Sequence, residues 1–203
     1  MHISEGVLNP QVLITGSALA VIGTAIGLKK LDYDRVPQVA ILSATFFVAS
    51  LIHIPLGPGS VHLVLNGLMG LFLGWVAFPV ILVGLTLQAI LFQFGGLTTL
   101  GINTLNMALP AIICYYIFEK SAKNNNFNLS VFTSFLAGAG AVFMSSLAVA
   151  LSLIFTEESF WPMAKLIVLM HFPVMIIEGL IVAVCVQFLK KVRPEMLDAA
   201  YVK

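Results

Sequence analysis

Formal charge is what this 203-residue chain has least of. Lysine and arginine number 10 and aspartate and glutamate 9, together 9% of the residues. Between Arg35 and Glu119 no residue is charged at all. A soluble domain of this size cannot keep its surface hydrated on so few ions. With 60% hydrophobic residues and a mean hydropathy of +1.04, the composition is that of an integral membrane protein. Cysteine is nearly missing: Cys114 and Cys185 both lie inside apolar runs, which leaves them as packing residues and argues against a disulfide framework or a cysteine-based metal site. There is no Gly-Lys-Ser/Thr phosphate loop, so the chain does not hydrolyse ATP by that route. HExxH, paired carboxylates and a recognisable Ser/His/Asp set are also missing. The basic residues sit at the ends of apolar runs and make no case for nucleic-acid binding.

What is present is a succession of apolar runs at 7–28, 36–55, 61–77, 79–95, 104–118, 130–155 and 163–189. They predict an all-α integral membrane protein, a bundle of about seven transmembrane helices forming one domain over 1–203. Pro79 marks a helix start between the third and fourth runs. The breaker-rich loop over residues 55–60 is tolerated at membrane depth only where protein or a cavity satisfies its backbone. Lys29, Lys30 and Arg35 follow the first run, Lys120 and Lys123 the fifth, and Lys190, Lys191, Arg193 and Lys203 the seventh. With seven spans these lie on one face, and the positive-inside rule makes it cytoplasmic. The N-terminus is then outside and the C-terminus inside. Lys165 is the exception, near an outer loop with Glu157 and Glu158. The opening MHISEGVLNP lacks a basic n-region, so it is expected to stay attached rather than be cleaved as a signal peptide.

The chain has four histidines: His2, His53, His62 and His171. The amine of Met1, the peptide nitrogen of His2 and the His2 imidazole can close a five-membered and a six-membered chelate ring around one divalent ion. Such a set, with one deprotonated amide, suits ions that accept tetragonal fields: Ni(II), Cu(II) or Co(II). One more imidazole completes the plane. His53, at the end of the second run, and His62, at the start of the third, flank the Gly/Pro loop on the outer side, and either can approach the tip. His171 and Glu178 are two helical turns apart on one face. As intramembrane ionisable residues they are functional candidates by default, and they are expected to act as a structural pair locking the last helix to its neighbours. Gly16, Ala20 and Thr24, with Gly23 and Gly27, place small residues at four-residue spacing on the first helix. That spacing allows close helix packing, inside the bundle or against a partner.

Four motifs in order then carry a resemblance: MHISEG at the start, GPGSVHL at 57–63, GGLTTLGINTLNMALP at 95–110 and HFPVMIIEGL at 171–180. With these the chain resembles the CbiM/NikM family, the substrate-binding membrane components of energy-coupling-factor transporters for cobalt and nickel. The resemblance implies a four-nitrogen site made by Met1, His2 and His62. His53 would stand beside it, and Asn103 and Asn106 would either hydrogen-bond the non-ligating imidazole nitrogens or act as polar caps. The family loop usually reads like GGTSGHL; this chain keeps the histidine but changes the residues ahead of it. The resemblance further implies no cofactor, a transported Ni(II) or Co(II) ion as ligand, and a location in the cytoplasmic membrane of a bacterium or archaeon. The implied partners are a transmembrane coupling protein, ATPase subunits and a small accessory membrane protein. Two other classes stay open on the residues: a membrane-embedded metalloenzyme using the same histidines, and an accessory membrane protein without tight metal binding.

Overall fold

Asn9 and Pro10 open the first helix as their chemistry requires. The Asn9 side chain accepts from the Val12 N–H at 2.9 Å, and Pro10, with no N–H to leave unpaired, takes the first helical turn. α1 runs Pro10–Lys29. It is followed by α2 (Val36–Ala49), a hairpin of β1 (His53–Leu56) and β2 (Gly59–His62), α3 (Asn66–Leu73), α4 (Ala77–Phe92), α5 (Leu100–Ala122), α6 (Phe127–Thr156) and α7 (Trp161–Val192). This computed structural model describes residues 2–56 and 59–196.

The apolar runs become helices of unequal kind. Among the described residues five stretches are long and apolar enough to cross a membrane: Pro10–Lys29, Asn66–Phe92, Leu100–Ala122, Phe127–Thr156 and Glu158–Val192. This is a multi-pass membrane protein. α2, with 14 residues, falls short of the roughly 20 that a full crossing takes. α3 is a half-helix of 8 residues, all of them buried, and Gly74, at φ +51°, breaks it from α4. The spanning helix expected over 61–77 is therefore replaced by the end of a hairpin and this inserted half-helix. His53 and His62, expected at helix ends, are instead paired across the two antiparallel strands. Pro and Gly crowd residues 55–59, and a helix interior does not carry them.

α3 enters the bundle because its glycines let backbone meet backbone. A Cβ on Gly70 would stand 2.1 Å from the Ala111 carbonyl oxygen of α5, and one on Gly67 would stand 2.7 Å from the Ala137 carbonyl oxygen of α6. Asn66 joins the three helices by donating to the Met107 carbonyl at 3.0 Å and to Ser145 Oγ at 2.8 Å. The small-residue row of α1 packs inside this chain: a Cβ at Gly16 would meet Ile102, and one at Gly23 would meet the Phe78 ring. Ile14, Val21 and Ile22 face outward. α7 packs along α6, and α6 along α5.

Overpacking this seam is expected to be costly. Gly70→Ala should destabilise the protein by about 1–3 kcal/mol, visible as a lowered unfolding temperature in detergent by tryptophan fluorescence. Gly140→Ala, where the added methyl meets only Cys114 Sγ at 3.7 Å, should be neutral or slightly stabilising. Equal behaviour of the two variants would refute the α3–α5 contact.

Candidate metal centre

The segment ahead of α1 is held at three points. Ile3 is gripped on both sides of its backbone by one amide: its N–H donates to Asn103 Oδ1 at 3.0 Å, and Asn103 Nδ2 donates back to the Ile3 carbonyl at 3.0 Å. Glu5 accepts from the Thr98 N–H at 2.9 Å and from the Thr98 hydroxyl at 3.1 Å, which holds its carboxyl below the usual carboxylate range. Asn9 Nδ2 donates to the Phe155 carbonyl at 3.2 Å, tying the start of α1 to the end of α6. Gly95 and Gly96 both have positive φ, and a Cβ on Gly96 would overlap the Glu5 side chain at 2.0 Å. The GG pair of the 95–110 motif is thus the bed on which the N-terminal segment lies.

This placement brings His2 to His62. The two rings tilt toward one another with centroids 4.8 Å apart, and His2 Nδ1 faces His62 Nε2 at 3.1 Å. The other nitrogen of each ring is engaged. His2 Nε2 donates to Gln88 Oε1 at 2.6 Å, and His62 Nδ1 donates to the Leu63 carbonyl at 2.8 Å. Those two bonds assign the ring protons, so the facing atoms are the two lone-pair nitrogens. Two facing acceptors of this kind are suited to sharing a cation. Their spacing matches adjacent corners of a planar nitrogen set, about 2.8–3.0 Å for metal–nitrogen bonds of roughly 2.0–2.1 Å, and not opposite corners at about 4 Å. Burial pushes the His2 imidazole down to about 3 and the His62 imidazole down to about 2, so both are neutral at physiological pH and ready to donate.

Met1 lies outside the described residues. Among the described residues no three or more His, Cys, Asp or Glu side chains gather as a metal cluster, so an ion held here would draw further nitrogens from backbone or terminus. His53 is exposed, with its ring edge-on to His62 at 5.9 Å, and its Nδ1 donates to the Leu51 carbonyl at 3.0 Å.

The asparagines take other tasks than orienting imidazoles. Asn103 holds Ile3, and Asn106 pairs with Ser152 Oγ at 3.2 Å between α5 and α6. The residue that orients His2 is Gln88, completely buried. Its signal in the sequence was a single amide in the otherwise apolar run of α4.

His171 and Glu178 do not form the expected pair. Glu178, completely buried, accepts from the Val64 N–H and from the Leu65 N–H at 2.9 Å. It thereby caps the start of α3, where Leu65 takes the left-handed φ of +52°, three residues after His62. Leaving those N–H groups unpaired would cost about 1–3 kcal/mol each. His171 Nδ1 donates to the Ile167 carbonyl at 2.7 Å, one turn back on its own helix. The carboxylate was needed by irregular backbone, which no helical periodicity could reveal.

A multi-pass helical bundle that presents paired neutral imidazoles at one end, fixed for donation, belongs to the class of membrane proteins that handle transition-metal ions. Comparison with known proteins agrees. Residues 2–196 match the family model CbiM, described as the cobalt uptake substrate-specific transmembrane region. A Haemophilus influenzae chain named for metal transport is 40% identical over 98% of this chain and 97% of its own length. A fused nickel transport protein NikMN of Rhodobacter capsulatus is 37% identical over 54% of this chain and 33% of its own length. The crystal structure of a truncated transition metal transporter superposes with a TM-score of 0.75 at 26% identity, covering 94% of this chain and 99% of that one. The chain belongs to the CbiM family, the substrate-specific membrane components of cobalt and nickel transport.

Gln88→Leu should leave His2 Nε2–H buried without an acceptor and release the choice of tautomer. Metal affinity of the purified protein is expected to fall about 10–100-fold with the unfolding temperature little changed. Unaltered affinity would show that Gln88 does not orient the ring.

Proposed function

We propose that this protein captures Ni(II) or Co(II) at the outer membrane face, as the specificity component of an ATP-driven energy-coupling-factor uptake system. The observation that carries the reading is the meeting of His2 Nδ1 and His62 Nε2 as two lone-pair nitrogens. A chelate through the His2 peptide nitrogen closes its six-membered ring at Nδ1, the nitrogen that the Gln88 bond leaves free. The Met1 amine takes the corner on the other side of the peptide nitrogen. The remaining corner then lies beside His2 Nδ1, where His62 stands. The His53 imidazole remains outside that plane, and Asn103 serves the site by seating Ile3.

The bundle also supports the orientation. Lys190 donates to the Asn124 carbonyl, so the basic groups that end α7 lie with the α5–α6 connection and its Lys120 and Lys123. The imidazoles sit with the α4–α5 connection, at the other end of α5. By the positive-inside rule the basic end is cytoplasmic and the histidine end external, in the cytoplasmic membrane of a bacterium or archaeon. Energy then comes from ATPase subunits through a transmembrane coupling protein, with a small accessory membrane protein completing the assembly. Loading a divalent ion onto a deprotonated amide leaves the site with one net positive charge, which eases its partial burial.

The direct test compares purified protein carrying an authentic Met1 terminus with the same protein extended by several residues. Tight Ni(II) or Co(II) binding by the first and a loss of several orders of magnitude in the second is the expected result. Equal binding by both would move the site away from the terminal amine, and no binding by either would end the metal-capture reading.

The pH dependence has a definite sign and slope. The imidazoles, already neutral well above their lowered values of about 3 and about 2, release no protons on binding near neutrality. The amine, ordinarily at about 7.7–8.0, and the amide each release one. Apparent affinity should therefore rise with pH, roughly 100-fold per unit below the amine's value and roughly 10-fold per unit above it. A flat profile between mildly acidic and neutral pH would count against an amide-ligated ion.

A further inference from the structure

The basic end of α7 carries charge that metal capture does not use. Along this helix Leu180, Val184 and Phe188 recur at four-residue spacing, and their row ends in Lys191. Beside it Ala183 and Gln187 make a second row that ends in Lys190. With Phe127 at the start of α6 these residues border a groove of about 760 Å³ between α6 and α7. Phe127, Leu180, Val184 and Phe188 are exposed and Ala183 is buried, so large apolar side chains stand around a small one. From Leu180 to Lys191 the helix rises about 16 Å, which matches the roughly 15 Å of hydrocarbon in one leaflet. The polar end is built. Lys190 donates to the Asn124 carbonyl and, at 3.0 Å, to Ser130 Oγ, and Gln187 Nε2 donates to the same hydroxyl at 2.7 Å. An ammonium has three donors, which leaves one for a further acceptor. Lys191 is exposed beside it. No carboxylate among the described residues lines the groove, and Glu119, near the end of α5, is paired with Lys123 at 2.7 Å.

We propose that this groove binds an anionic phospholipid, with the phosphate on Lys190 and Lys191 and an acyl chain lying between α6 and α7. The apolar rows are one leaflet deep, and the two ammonium groups stand where the headgroup of that leaflet stands. A partner helix would have to bring an acid to that same depth, whereas a phospholipid carries its charge there by construction. A choline headgroup brings an ammonium of its own against the two lysines, so an anionic lipid is favoured over a zwitterionic one with the same chains. Each lysine near the membrane surface contributes roughly fivefold in affinity for an anionic lipid. The groove lies at the end of the bundle away from the imidazoles, and the inference stands or falls independently of metal capture.

Native mass spectrometry of the full-length protein in a neutral detergent tests this, with phosphatidylglycerol titrated against phosphatidylcholine of the same chains. Wild-type protein is expected to retain one phosphatidylglycerol at least about tenfold more tightly than phosphatidylcholine and to unfold at a higher temperature with it. Lys191→Gln, at an exposed position, should lower phosphatidylglycerol affinity roughly fivefold and leave phosphatidylcholine affinity unchanged. Val184→Trp, which fills the apolar row, should weaken both lipids. Lys29→Gln with Lys30→Gln, at the end of α1, should alter neither. Equal retention of the two lipids, or a Lys191→Gln variant that binds phosphatidylglycerol as the wild type does, would overturn the proposal. So would an equal loss in the Lys29/Lys30 variant, which would make the attraction a general one of basic residues. Stabilisation by glycerol phosphate as large as that by the lipid would reduce the groove to a phosphate site. A lipid-free dimer that Val184→Trp dissolves would give it to a second copy of the chain instead.

Discussion

Irregular backbone inside a membrane bundle has to find hydrogen-bond partners within the protein, and that constraint organises the metal end of this molecule. An unpaired N–H in hydrocarbon costs several kcal/mol, and two stretches that leave helix or strand here are matched to a side chain from a helix. Glu178 of α7 receives the N–H groups of Val64 and Leu65. Asn103 of α5 receives and returns the backbone bonds of Ile3. Both side chains do for the chain what a neighbouring strand does elsewhere. In doing so they set the two places that matter, since His62 stands two residues before Val64 and His2 next to Ile3.

The electrostatics follow from the same economy of charge. A site for a divalent ion made from carboxylates would gather like charges in a low-dielectric setting. Here the side chains that meet are neutral imidazoles, held neutral by burial, and their protons are parked on an amide oxygen and a carbonyl oxygen. The two imidazoles therefore carry no charge of their own before an ion binds. The intramembrane carboxylate, Glu178, is engaged by the backbone N–H groups at the start of α3 and does not join the two imidazoles.

Much of this was legible in the sequence, and the misses share a cause. Membrane character, the helices α1 and α4–α7 to within a few residues, and the approach of His62 to the N-terminal tip follow from hydropathy, helix breakers and four ordered motifs. The hairpin over His53–His62 was missed because a short apolar run bounded by proline and glycine reads equally as a helix end. The role of Gln88 was missed because one amide in an apolar helix carries no periodic signal. His171 and Glu178 invited pairing by their spacing along one helix face, yet each looks to a different element. Helical spacing shows which residues share a face and is silent on what irregular backbone lies opposite.

The two imidazoles are also carried by different bodies. His2 is seated by α4 and α5, through Gln88, Asn103 and the Thr98 loop. His62 is seated by the hairpin and by α7, whose Glu178 fixes the backbone just beyond it. α6 packs against both α5 and α7 and couples the two. The 3.1 Å separation of the donor nitrogens is therefore a property of helix packing and not of one local loop. Close glycine contacts tie the bodies together, α3 to α5 at Gly70 and α6 to α7 at Gly138 and Gly179. Because such seams resist gradual deformation, the seating of His2 on α4 and α5 and that of His62 by α7 are held in one relation by the packing of α6 between α5 and α7.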